Sequence, residues 1–235
     1  MTLREIVFDV WNIMRAGHVN DTESISYSEV KFWVKTTLAS IIRQDLNKGR
    51  TISENIISHI YGLKMEVADI SDLPACLNMF TGCYIVKSVK QLPKPIELAD
   101  RDLILSIQPG NFLAQNYTII PRARLSYINY NKWTKNKPFA VLRDRWLYLI
   151  NDYNVEYVTV EMVLEDAEEL AWYTNCTNST QCYDDESQYP ISAHYIDIMK
   201  QMIMKTNFSI INNPTDISEN GNPDYKQNTQ KPPLG

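Results

Sequence analysis

The sequence predicts an α+β fold, and three features of it carry that prediction. Two capping boxes near the N-terminus each open an apolar stripe of helical spacing. The middle of the chain is a series of short runs rich in Ile, Val, Tyr and Trp, and one more amphipathic stripe follows Pro190. The predicted order is an N-terminal helix pair, a β-rich central body, a C-terminal amphipathic helix and an extended C-terminal arm. With 235 residues, 44% hydrophobic and 11% aromatic, the chain is long enough to bury a core as one body over 1–206, leaving the arm over 207–235.

The helix pair is expected over 2–48. Thr2 and Glu5 form the first capping box, followed by Leu3, Ile6, Val7, Val10, Ile13 and Met14 on one face, with Gly17 as the stop. Ser26 and Glu29 form the second. Its stripe runs through Val30, Trp33, Val34, Leu38, Ile41 and Ile42 to a stop at Asn47-Lys48-Gly49, and the two helices are expected to pack antiparallel. Over 52–163 the periodicity shortens. Strands are expected near 60–67, 83–90, 103–107, 117–120, 138–143, 146–150 and 155–163, each bounded by Pro, Gly, Asn or Asp, with a short helix near Pro74 to Phe80. The runs flanking Asn151-Asp152 read as a hairpin, with Trp146, Tyr148 and Ile150 opposite Val155, Tyr157 and Thr159.

Residues 165–173 read as a short helix whose acids sit in the first turn, at the positive end of the dipole. A polar loop follows, and Pro190 then opens a helix over 190–205 carrying Ile191, Tyr195, Ile198, Met199, Met202 and Ile203. Residues 207–235 hold four prolines and six asparagines among few large apolar groups, a composition that does not fold alone.

Catalytic and metal-binding templates fit poorly. Seven unclustered glycines provide no phosphate-cradling loop, and His18, His59 and His194 match no metal-ligand spacing. Cys76, Cys83, Cys176 and Cys182 match neither a zinc knuckle nor a disulfide framework, so free thiols are expected. The acids Asp184, Asp185 and Glu186 lack the alternating ligands and turn glycine of a calcium loop. The expectation is a non-enzyme without a cofactor. No leader or membrane span is expected either, and the sequons at Asn116, Asn175, Asn178 and Asn207 read as chance products of an Asn-rich chain.

Charge is distributed unevenly. Residues 103–143 carry six Lys or Arg and no acid, whereas 144–199 carry twelve acids and a single Arg145, although the net charge is only −5. The two blocks either meet inside one monomer or meet across copies. Candidate contact residues between subunits are Arg122, Arg124, Lys132, Lys135 and Lys137 on the basic side and Glu165, Asp166, Glu168 and Glu169 on the acidic side. In the arm the candidates are Phe208, Ile210, Ile211, Pro214 and Tyr225. The basic block also interleaves with Tyr127, Tyr130, Trp133 and Phe139, so a nucleic-acid-binding module over 122–145 is the alternative reading.

The opening Thr2-Leu3-Arg4-Glu5-Ile6 and the helix ending in Ile42-Arg43-Gln44-Asp45-Leu46-Asn47-Lys48-Gly49-Arg50 resemble virion structural proteins of crAss-like tailed phages. So do Tyr189-Pro190-Ile191 and Asn213-Pro214-Thr215-Asp216 near the other end. The resemblance implies a head-to-tail connector component without catalytic residues, a homo-oligomeric ring, dodecameric by expectation. Its neighbours would be portal or adaptor proteins above and tail proteins below, with DNA passing through the lumen and assembly in the host cytoplasm.

Overall fold

The computed structural model describes residues 1–14, 25–69, 85–99, 101–110, 115–121, 124, 127, 132–133, 137–152, 154–173, 183 and 186–208, the last two by backbone alone. Helix α1 spans Leu3–Met14 and α2 spans Tyr27–Asn47. Both capping boxes form. In the first, Glu5 N donates to Thr2 Oγ1 (3.2 Å) and Thr2 N donates to Glu5 Oε2 (2.9 Å). In the second, Glu29 N donates to Ser26 Oγ (3.2 Å) and Ser26 N donates to Glu29 Oε2 (2.7 Å). Each box satisfies two amides that the first helical turn leaves without partners. Leu3, Ile6, Val7, Val10 and Met14 are buried along α1, but Ile13, expected on the same stripe, is 45% exposed. Helix α2 stops where Gly49 takes φ +75°, a left-handed conformation that glycine adopts without a Cβ clash, and Arg50 N donates back to Asp45 O (3.0 Å).

A 3-10 turn at Glu54–Ile56 leads into β1, Ser58–Val67. The other strands are β2 (Ile85–Ser88), β3 (Ile104–Pro109), β4 (Thr118–Ile119), β5 (Phe139–Arg143), β6 (Trp146–Ile150) and β7 (Tyr157–Met162). They form one seven-stranded sheet in the order β3-β7-β1-β2-β6-β5-β4, antiparallel except for the β4–β5 pair. Strand β1 joins the two halves of the sheet. Its register shifts between Ile60 and Leu63, where Gly62 takes φ +65°; residues 58–64 pair with β7 and 65–67 with β2. The sheet curls, so that Tyr117 N, just before β4, donates to Ile107 O on β3 at the other edge (2.9 Å).

The expected hairpin across Asn151-Asp152 is absent. β6 pairs with β2 and β5, whereas β7 pairs with β1 and β3. The hairpin is instead β5–β6, closed by Asp144 and Arg145 at φ +50° and +68°, the two-residue turn whose twist suits adjacent antiparallel strands. Asn151 also has positive φ (+65°), so the turn signal there is real, but it carries the chain out of the β2–β6–β5 half. Burial explains why. On β6, Leu147 and Leu149 enter the main core while Tyr148 and Ile150 join Ile85, Ile120, Phe139 and Val141 in a second cluster on the opposite face. Tyr157, expected across from them, is 46% exposed.

Residues Ala167–Trp172 form a 3-10 helix rather than an α-helix, with Asp166 Oδ1 accepting from Glu168 N (3.0 Å) as its cap. Helix α3 spans Ala193–Ile203, starting three residues after Pro190, and a π-helical turn continues it through Met204–Phe208, past the boundary expected before Asn207. Its buried face is Tyr195, Met199 and Ile203, whereas Ile198 is 37% exposed. Helix α3 packs on α2. The Tyr195 hydroxyl donates to buried Asp45 Oδ2 (2.8 Å), Arg50 pairs with Asp45 Oδ1 (2.8 Å), and Lys200 pairs with Asp9 on α1. Tyr189 N donates to Met1 O (3.0 Å), so the approach to α3 is tied to the start of α1. The stripes of α1, α2 and α3 and the inward faces of β1, β3, β6 and β7 make one core.

The helix expected at Pro74–Phe80 and all four cysteines lie outside the described residues, as do His18, Asp184 and Asp185. No described helix is long and apolar enough to cross a membrane.

Candidate assembly surface

The four acids of the 165–169 segment find their counter-charges within the chain. Lys35 Nζ lies 2.6 Å from Asp166 Oδ2 and 2.5 Å from Glu168 Oε2, and Lys31 pairs with Glu168 as well. Lys31 and Lys35 stand one turn apart on α2, so the cap of the 3-10 helix presents its carboxylates to one face of that helix. Burial alone would raise the Glu168 carboxyl, but hydrogen bonds from Lys31 and Lys35 hold it below the ordinary carboxylate range. Burial would likewise lower Lys35, yet Asp166 and Glu168 raise it. The side chain of Lys35 is only 15% exposed, so screening by water is limited.

The remaining two acids bind the other side of the same junction. Glu165 pairs with Lys94 (2.9 Å) and faces Arg43 on α2 (3.8 Å). Glu169 Oε2 accepts from Arg145 Nη2 (2.6 Å) and from Lys94 N (2.8 Å), while Arg145 Nε donates to Leu92 O (2.8 Å). Arg145 therefore closes the β5–β6 turn and anchors it to the 3-10 helix. Beside it lies a groove of 320 Å³ lined by Lys90, Pro93, Arg145, Glu169, Trp172 and Tyr173. The Tyr173 hydroxyl donates to Gln91 O, and burial pushes its pKa up to about 12. Trp172 stands 78% exposed at the rim.

The basic candidates have a different setting. They lie on the connection between the parallel strands β4 and β5, whose two ends are held by Ile120 and Phe139 in the second cluster and by Ile120 N donating to Ala140 O (2.9 Å). Arg124, Lys132 and Lys137 are exposed, and none has an ion-pair partner among the described residues. Tyr127 and Trp133 beside them are 71% and 79% exposed, with Lys132 Nζ 6.0 Å from the Trp133 ring centre. Arg143, at the end of β5, pairs with its neighbour Asp144 (3.1 Å). Arg122, Lys135, Ile210, Ile211, Pro214 and Tyr225 lie outside the described residues, as does the side chain of Phe208.

The structure thus brings the acidic candidates to α2, and the described basic candidates Arg124, Lys132 and Lys137 form no ion pair with them. Sequence reasoning missed the partners Lys31, Lys35, Arg43 and Lys94. The only signal for them was the four-residue spacing of Lys31 and Lys35 on the polar side of α2. It also missed a set of exposed aromatics. Phe8 and Tyr27 border a groove of 530 Å³ at the N-terminal ends of α1 and α2, shared with Arg4, Lys31, Glu168 and Glu186, and Phe32 stands 62% exposed on α2. Such residues supply area for contact with another chain at little conformational cost.

His59 is exposed and stacks on Tyr61 (5.8 Å between centres), with Nδ1 3.6 Å from Glu161; His194 is exposed on α3. Among the described residues no three His, Cys, Asp or Glu side chains gather as a metal site.

No curated protein matches the chain. Residues 5–227, almost the whole of it, match the family described as phage tail ring protein 2, the family associated with crAss-like phages. The chain belongs to the phage tail ring protein 2 family and is a structural component of the phage tail.

Proposed function

We propose that copies of this chain close into a homo-oligomeric ring in the head-to-tail connector of the virion, joining portal-side to tail-side proteins in a structural rather than catalytic role. The observation that carries the reading is the family match over residues 5–227. A ring needs two unlike faces on each subunit, because a cyclic contact joins one face of a copy to a different face of the next. The chain offers distinct surfaces of the right kind: the groove at Phe8 and Tyr27 with Phe32 near the helical layer, and the groove beside Arg145 with exposed Trp172 at its rim. A ring of about twelve copies is our reading of its size.

The arm is the proposed fastener. In this reading Ile210, Ile211, Pro214 and Tyr225 bury against a neighbouring copy, and ordering at assembly suits the composition of the arm. Glu165, Asp166, Glu168 and Glu169 serve the ring in this reading by fixing the 3-10 helix, and with it exposed Trp172, against α2.

The experiment is a mass measurement on the purified chain beside a version ending at Phe208. The full chain should assemble, while the shortened one should keep its helix and sheet content yet assemble weakly. Equal assembly by both would remove the arm from the account. A full chain that stayed monomeric at all concentrations, alone and with its connector neighbours, would remove the ring.

A further inference from the structure

Among the described residues, the cations of the β4–β5 connection have no counter-charge from the fold. Residues 103–143 hold six cations and no acid, and Arg124, Lys132 and Lys137 are exposed without an ion-pair partner among the described residues. The acids from Glu165 to Glu169 are bound instead to Lys31, Lys35, Arg43, Lys94 and Arg145. A second copy offering those acids would first have to break its own internal pairs. A polyphosphate offers contiguous negative charge without that cost.

We infer that Arg124, Lys132 and Lys137, with Tyr127 and Trp133, form a nucleic-acid contact surface that binds the phosphate backbone. Two further observations fit this ligand. The buried ends of the connection at Ile120 and Phe139 hold it at the β4 edge of the sheet, where Arg124, Lys132 and Lys137 are exposed to solvent. Tyr127 and Trp133, at 71% and 79% exposure, stand where unpaired bases stack, although phosphate contact alone would serve a duplex equally. The inference goes beyond ring formation and requires neither closure nor a particular copy number.

The test uses the full-length chain and fluorescence anisotropy with a short labelled DNA duplex and the matching single strand. Binding should weaken steeply with salt, with a log–log slope of about −0.9 per phosphate contacted, or about −3 for these three cations on duplex DNA. The triple variant Arg124→Glu/Lys132→Glu/Lys137→Glu should lose about tenfold or more in affinity. A control with the same charge change elsewhere, Lys48→Glu/Lys64→Glu/Arg101→Glu, should lose clearly less. Trp133→Ala distinguishes the two ligands: a loss confined to the single strand means base stacking, and an equal or absent loss on both means backbone contact alone. Undetectable binding by the wild type at low salt, a salt slope near zero, or equal losses in the triple variant and its control would each overturn the assignment. Oligomer mass measured on the same samples separates this outcome from failure of the ring.

Discussion

The 165–169 acids and the 124–137 cations are neighbours in sequence and opposite in sign, yet they have contrasting fates. Asp166 and Glu168 reach back 131 and 133 residues to Lys35, where partial burial and short hydrogen bonds make the attraction effective. Arg124, Lys132 and Lys137 remain in solvent without such partners among the described residues. Adjacent charge blocks therefore do not imply mutual pairing. The acids at 165–169 are part of the fold, joining the sheet to the helical layer, whereas Arg124, Lys132 and Lys137 are the cations we propose for an external ligand.

The largest expected effect breaks the acidic side. Lys35→Ala leaves Asp166 and Glu168 without their shared cation and should cost about 2 kcal/mol in chemical denaturation, because charge-assisted bonds at a partly buried site are stronger than surface pairs. A change indistinguishable from zero would mean that water screens the cluster fully. Acid titration should act next. The Glu168 carboxyl is held below its ordinary value of 4.5, so its stabilisation is complete above that pH and is lost as the pH falls through the lower folded value. Thermal melts of the wild type should fall over that window, and those of Lys35→Ala should fall less. The smallest effect is expected on the basic side: the triple reversal at Arg124, Lys132 and Lys137 should alter stability by no more than about 0.5 kcal/mol, as for other exposed substitutions. A larger loss would show that these cations have partners in the fold after all.

Local signals in the sequence located the described helices and strands well. The boxes Thr2/Glu5 and Ser26/Glu29 are formed by residues three apart, and each strand was bounded by its own turn residues, so no long-range information was needed. Strand partners were a different matter. Asn151 announced a turn, but which strand lies beside β6 depends on both of its faces being buried, Leu147 and Leu149 on one side and Tyr148 and Ile150 on the other. The surface was legible only as charge. Nothing local to Glu168 shows that Lys31 and Lys35 neutralise it, because those contacts are made by the fold. The exposure of Phe8, Phe32 and Trp172 was hidden for the same reason, since an aromatic residue reads as core until its neighbours are placed.

The central claim, that this family member builds a ring in the virion, is tested most directly by electron cryo-microscopy of the native particle. Copies would be counted around the tail axis and residues 207–235 traced. A closed ring in the connector is expected, each arm lying on a neighbouring copy. Single or dispersed copies, with arms that touch no neighbour, would contradict it.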